Sequence, residues 1–226
     1  IYESYSFGQS SSNLMTQRSK SLFINTKKPI ILASGSKSRK LMLEEAGVRF
    51  KVISSNVDES LLKEEVASLP FEDQVIALAK AKAREVSSQF PESIVIGGDQ
   101  MCVLKDLIFD KPGNKESAIR NLKKLSGTEH YQYSGVCIFQ NGESLWDYSE
   151  YAIMKMHNLS EDEIISYVEK ENPIHAAGAY KFESLGCNLF ESVDGSSYTV
   201  RGMPLLSLLK QLRELDIINL ESIEIK

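Results

Sequence analysis

Residues 34–40 read Ser34-Gly35-Ser36-Lys37-Ser38-Arg39-Lys40, which packs hydroxyls, a glycine and cations into one short run. The run follows the apolar Ile30-Ile31-Leu32-Ala33 and opens a helical pattern, so it lies where a strand hands over to a helix N-terminus. Free backbone N–H groups and the helix dipole favour an anion at such a joint. The hydroxyls of Ser34, Ser36 and Ser38, together with Arg39 and Lys37 or Lys40, add charge-assisted donors. A plain N-cap with solvated bases explains the same residues. A Walker A loop does not, because Ser36 and Ile31 stand where that motif needs glycine.

Acidic residues form a second cluster. Asp58-Glu59 follow a strand-like run, and Asp99 closes Ile94-Val95-Ile96-Gly97-Gly98. A carboxylate at the exposed tip of a buried strand suits Mg²⁺, a hard cation that shares oxygen ligands with phosphate. Such a metal neutralises charge and activates water. Read alone, Asp99 is explained at least as well by a strand-end turn or a helix cap. Lys82 shares the spacing of the apolar residues Val75, Leu78, Ala79 and Val86, so it points into a cleft or snorkels out of the core. Lys111 lies in Asp110-Lys111-Pro112. Taken together, these residues describe Mg²⁺-dependent phosphate chemistry. His130, His157 and His175 lack ligand spacing, and no GxSxG or Cys/His arrangement supports a covalent nucleophile.

The elements that must position these residues alternate. Ile30–Ala33 reads as a buried strand, followed by a helix through Leu41, Leu43 and Ala46 that stops at Gly47. Phe50–Ser54 reads as a second strand, Phe71–Ser88 as a helix and Ile94–Ile96 as a third strand ending at Gly97-Gly98-Asp99. Asn114 caps a helix to Lys124. Tyr131–Phe139 and Ser144–Met156 form a hairpin turned by Asn141-Gly142. Within it, Tyr131, Tyr133, Tyr148 and Tyr151 read as sheet packing. Ser160 and Glu163 make a capping box for a helix to about Lys170. Short strands are expected near Ala177–Tyr180 and Cys187–Glu191, and a last helix over Pro204–Glu214. This order predicts an α/β fold, a mixed sheet with helices on its faces.

Composition narrows the class. The 226 residues carry 42% hydrophobic and 25% charged side chains, which excludes disorder and fibres. A net charge of −5 argues against duplex nucleic acid or an anionic membrane as partner. No apolar run reaches transmembrane length. Cys102, Cys137 and Cys187 show no CxxC spacing and read as thiols in a reducing, cytoplasmic compartment. Residues 1–28 are rich in Ser, Asn and Gln, and are expected to form a partly ordered leader ahead of one domain over 29–226.

Several motifs resemble, in order, those of the Maf family of nucleoside triphosphate pyrophosphatases. They are Ile31–Arg39, Val57-Asp58-Glu59, Lys80–Ala83, Ile96–Gln100, Asp110-Lys111-Pro112, Leu125-Ser126-Gly127, Ala177–Glu183 and Val200–Leu205. The resemblance spans roughly Pro29 to Leu215. It implies a two-lobed fold like that of the inosine triphosphatases, with a long twisted mixed β-sheet flanked by helices and a central cleft. In that cleft a nucleoside triphosphate is hydrolysed to monophosphate and pyrophosphate with a divalent cation, Mg²⁺ or Mn²⁺. By position, Asp99 is the catalytic base, Glu59 a metal- or water-positioning carboxylate, and Lys82, Lys111 and Arg39 phosphate contacts. A homodimer is implied as well.

Gln100 after the aspartate and Glu183 later match the branch that resembles 7-methyl-GTP pyrophosphatases. The dTTP/UTP branch instead has Thr and Gln at these positions. A carboxylate acceptor suits the N1–H and 2-amino edge of guanine. Three residues depart from the pattern: Ser38 stands for the usual Trp, Ser184 for Gly and Ser196 for Asp. The alternatives are a dTTP/UTP or inosine-type pyrophosphatase, or a non-catalytic protein that restrains septum formation in cell division.

Overall fold

The structure is a computed structural model that describes residues 20–224. Residues 1–19 of the expected leader lie outside the described residues. Its last part forms β1 (Lys20–Thr26), which pairs antiparallel with β9 (Ile218–Glu224) in a two-stranded ribbon.

The remaining strands build one seven-stranded mixed sheet. In chain order the elements are β2 (Ile30–Leu32), α1 (Lys37–Glu45), β3 (Lys51–Val52), α2 (Glu59–Val66), α3 (Phe71–Gln89), β4 (Ile94–Leu104) and β5 (Leu107–Phe109). They continue with α4 (Lys115–Leu125), β6 (Glu129–Gln140), β7 (Glu143–Met156), α5 (Glu161–Glu171), β8 (Phe190–Asp194), α6 (Ser197–Val200) and α7 (Leu205–Glu214). The sheet order is β3-β2-β4-β6-β7-β8, with β5 also on β4. The β3-β2-β4 half is parallel and the rest antiparallel. The mixed α/β architecture expected from strand–helix alternation is therefore present.

β4 is the spine. Its alternation sends Ile94, Ile96, Gly98, Gln100 and Cys102 to one face and Val95, Gly97, Asp99, Met101 and Val103 to the other. On the first face, Ile94 and Ile96 join a core with α1 and α7, whereas Cys102 joins a separate core with α4 and α5. These two cores are the two lobes, and Gly98 and Gln100 lie between them. On the second face α3 packs very close. A Cβ at Gly97 would stand 2.4 Å from Ala79 O, and one at Gly135 2.7 Å from the Val75 backbone, so both positions require glycine.

β2 pairs with β4 only through Ile96, and β5 resumes at Cys102. Between them, this edge of β4 has no strand partner among the described residues. The gap lies beside the loop after β2 and the start of α2.

Local chemistry explains the helix ends. Ser36 caps α1, Asp58 α2, Asn114 α4, and Ser160 with Glu163 closes a capping box on α5. Asn141 and Gly142 turn the β6–β7 hairpin with φ of 52° and 77°. Tyr131, Tyr133 and Tyr151 pack ring against ring on the sheet.

Three expectations differ from the structure. β4 does not stop at Gly97-Gly98-Asp99 but runs to Leu104, because β6 pairs along it from Ile94 to Val103. Ala177–Ala179 is a 3₁₀ turn rather than a strand, since Gly178 and Ala179 take φ of 75° and 63° in succession. The strand expected near Cys187–Glu191 likewise begins only at Phe190, because a second 3₁₀ turn occupies Leu185–Leu189.

Candidate active site

Asp99 stands in mid-strand, not at an exposed strand tip, and is 7% exposed. Lys82, carried inward on the buried stripe of α3, places Nζ 2.7 Å from Asp99 Oδ1 and 3.1 Å from Glu59 Oε1. The lysine therefore points into the cleft, the functional alternative left open by its spacing. Glu59 opens α2 and stays half exposed. Partial burial works to raise its pKa, but the charge and hydrogen bond of Lys82, with Lys111 and Lys63 beyond, hold it below the ordinary glutamate value. Asp58 has a different task. It accepts from Ser60 N and Leu61 N at 3.0 and 3.1 Å and fixes where α2 begins.

Arg39 crosses to the other face of β4. Its side chain lies flat over Gly98, where a Cβ would come within 2.9 Å of Nε. Nε donates to Gly202 O at 2.7 Å and a terminal nitrogen to Ser34 Oγ at 3.0 Å. Burial lowers the Arg39 pKa while the charges of Asp99 and Glu59 raise it. A guanidinium remains protonated in either case. Ser34 also accepts from Ser36 N, and Ser36 Oγ accepts from Arg39 N. These hydroxyls brace the loop and the arginine. Ser38 Oγ is buried and meets no hydrogen-bond partner among the described residues.

The cationic rim includes a residue that the motifs did not single out. Lys63, one turn after Glu59 on α2, bonds Asp110 Oδ1 at 2.5 Å. Burial works against its charge, but Asp110, then Asp99 and Glu59, raise its pKa. The i,i+4 spacing of Glu59 and Lys63 was the available signal. Lys111, beside Asp110, is exposed. Lys63 and Asp110 also line a cavity of about 430 Å³ with Phe71, Gln74, Met101 and Ile108. A second cavity of about 330 Å³, lined by α7 and β9, contains none of these groups.

Gln100 points away from Asp99, into the space between the lobes. Its Nε2 donates to Gln132 Oε1 at 2.9 Å and to Val200 O at 2.6 Å. Glu183 is exposed on the second lobe, near Tyr167. No hydrogen bond or ion pair among the described residues joins it to the cluster.

The structure thus gathers Arg39, Glu59, Lys82 and Asp99, braces them with Ser34 and Ser36, and sets Lys63 and Lys111 at the rim. The arrangement can bind a polyanion and ionise a carboxylate beside it. The profile of the family described as Maf-like protein matches residues 29–215. A nucleoside triphosphate pyrophosphatase of Legionella pneumophila (strain Philadelphia 1) is 39% identical over 193 residues, 85% of this chain and 96% of that protein. A 7-methyl-GTP pyrophosphatase of Rhizobium etli is 38% identical over 194 residues, 84% of this chain and 98% of its own length. Among solved structures, the Staphylococcus aureus Ham1 protein matches with a TM-score of 0.41 and 15% identity, over 84% of this chain and all of that one. With the family match spanning most of the chain and both relatives aligned over nearly their full length, this protein belongs to the Maf family.

Proposed function

We propose that this chain hydrolyses a nucleoside triphosphate to the monophosphate and pyrophosphate. The observation that carries the reading is Lys82 Nζ held between Asp99 Oδ1 and Glu59 Oε1, with a buried guanidinium on the opposite face of the same strand. Asp99 Oδ1 is bonded to Lys82, which leaves Oδ2 to accept a proton from water. As the water oxygen bonds to the α-phosphorus, the bond from that phosphorus to the bridging oxygen breaks and pyrophosphate departs. Arg39, Lys63, Lys111 and the N-terminus of α1 offset the charge gathering on the phosphate oxygens.

A divalent cation, Mg²⁺ or Mn²⁺, fits the donor set. Asp99 Oδ1 and Glu59 Oε1 flank one cation, Lys82 Nζ, at 2.7 and 3.1 Å, so two carboxylates are gathered at the cleft. A hard cation that takes one or two carboxylates completes its shell with phosphate and water. Asp99 and Glu59 would hold it, and when bound it supplies Lewis-acid charge to the phosphate oxygens.

For the base, Gln100 and Glu183 support a guanine-type substrate, with 7-methyl-GTP the first to test. The proposed setting is the cytoplasm, where the free thiols Cys102, Cys137 and Cys187 stay reduced. Among the described residues no helix is long and apolar enough to cross a membrane.

The test is pyrophosphate release from a panel of ordinary and modified nucleoside triphosphates, with Mg²⁺, Mn²⁺ or EDTA. Metal-dependent release led by 7-methyl-GTP supports the whole reading. Release led by UTP or dTTP keeps the chemistry and discards the base assignment. No release from any of them overturns the proposal.

A further inference from the structure

Asp99 has a neighbour whose surroundings are quite different. Gln100 heads a chain of neutral side chains that runs back through Gln132 and Tyr180 to His130. The last three are 1%, 4% and 0% exposed. Gln132 Nε2 lies 2.6 Å from Tyr180 Oη, and that oxygen lies 2.9 Å from His130 Nε2.

From Gln100 to Tyr180 the chain has only one consistent direction. Val200 O can only accept, and it lies 2.6 Å from the Gln100 amide, so the NH₂ group must face it. Turning the amide over would set two carbonyl oxygens against each other. The second proton of that NH₂ goes to Gln132 Oε1, which commits the Gln132 NH₂ to Tyr180. Tyr180 Oη therefore accepts from Gln132, and it meets His130 Nε2 on one side and the Cys102 thiol on another. Burial keeps the imidazole neutral by pushing its pKa down to about 4, and among the described residues its buried Nδ1 meets no partner.

One atom remains. Gln100 Oε1 carries none of these bonds and lies beside Gly202, where a Cβ would stand 2.8 Å from it and 3.4 Å from the Arg39 Nη2. An acceptor is thus held next to the guanidinium, in the gap between the lobes.

We propose that Gln132 and Tyr180 are positioning residues: their one-way chain, anchored on the Val200 carbonyl, fixes Gln100 Oε1 as an acceptor that selects substrates presenting an N–H donor. This deepens the pyrophosphatase reading and rests on it. An acceptor that a bound base covers without offering a donor loses far more than a donor-bearing ligand gains, so the device acts as a filter between bases.

The experiment measures kcat and KM for wild type and variants on GTP against ITP, a pair that differs only in the N–H donors of the 2-amino group. In Gln132→Leu, Gln100 loses one of its two anchors. Preference for the better donor-bearing substrate should fall about five- to tenfold through KM, with kcat little changed. Tyr180→Phe, a milder change that keeps the ring, should shift the preference in the same direction by less. Gln132→Glu keeps the acceptor for the Gln100 NH₂ and should restore the preference. Wild type that releases pyrophosphate, with variants that keep its preference or lose kcat equally on all substrates, overturns the positioning role alone. Wild type that releases none overturns the pyrophosphatase reading and this inference with it.

Discussion

Consecutive residues of β4 enter two polar networks of opposite character. Asp99 joins Lys82 and Glu59 in an ionic knot that opens to solvent through the half-exposed Glu59. Gln100, on the other face, joins Gln132, Tyr180 and His130 in a neutral chain that runs from the gap between the lobes into the core. An ionic knot tolerates rearrangement, because lysine and carboxylates trade partners as a polyanion arrives. The neutral chain tolerates less, because the Val200 carbonyl assigns the donors and acceptors of both Gln100 and Gln132. One face is built to respond to charge and the other to hold an orientation.

The sharpest break in that contrast is Asp99→Asn. The amide still accepts from Lys82, so the fold should persist, but it takes no proton from water. Turnover should fall about a thousandfold, with the thermal midpoint within a few degrees of wild type. Normal turnover in this variant would remove Asp99 from the chemistry. Next comes Lys82→Met, which takes from buried Asp99 the ammonium bonded to it, with only the more distant charges of Arg39 and Lys63 left. A loss of about 3 kcal/mol in urea unfolding is expected. Combining it with Asp99→Asn should recover part of that loss, since the uncompensated charge is then gone. A full, additive loss in the double variant would show that the pair is not coupled.

The neutral network has its own signature, in acid. His130 is held neutral, its pKa pushed by burial from 6.5 to about 4. The unfolded chain therefore binds a proton that the folded one refuses. Stability is full above about pH 6.5 and falls as the pH drops toward 4, by about 2 kcal/mol between pH 7 and pH 5. The carboxylates with lowered pKa, Glu59 and Glu163, add their loss only below about pH 4.5, which leaves the upper window to the histidine. His130→Gln should flatten the stability profile between pH 7 and 5. A variant with the same slope as wild type would place the acid sensitivity elsewhere.

The ionic face was the more legible in the sequence. Lys82 betrays itself by falling on the apolar period of α3, and Arg39 by following a strand–loop–helix joint. Gly97-Gly98 misled for a physical reason. A pair of glycines reads as a break, yet here one admits α3 and the other Arg39 against an unbroken strand. The neutral face left almost no trace. His130 and Gln132 sit on β6, Tyr180 follows a 3₁₀ turn, and Gln100 meets them only when the sheet has formed. Polar partners that far apart have no spacing to read. The β1–β9 ribbon is hidden in the same way, since it joins strands from opposite ends of the described chain.

Ser38 lies in the first turn of α1, next to Arg39 in sequence, and offers the smallest and most discriminating test. Its hydroxyl is buried without a partner among the described residues, so in the protein alone it costs free energy rather than supplying any. Ser38→Ala should therefore leave stability unchanged or raise it, by up to about 1 kcal/mol. Ser34→Ala behaves in the opposite sense, because Ser34 Oγ accepts from both Arg39 and Ser36 N. Stability should fall by about 1 kcal/mol there, and the arginine should loosen. If the Ser38 hydroxyl waits for a phosphate or base oxygen, the same Ser38→Ala protein that gains stability should show a KM several-fold higher. A gain in stability with an unchanged KM would mean that this hydroxyl serves neither the fold nor the substrate, and that the responsive face begins at Arg39.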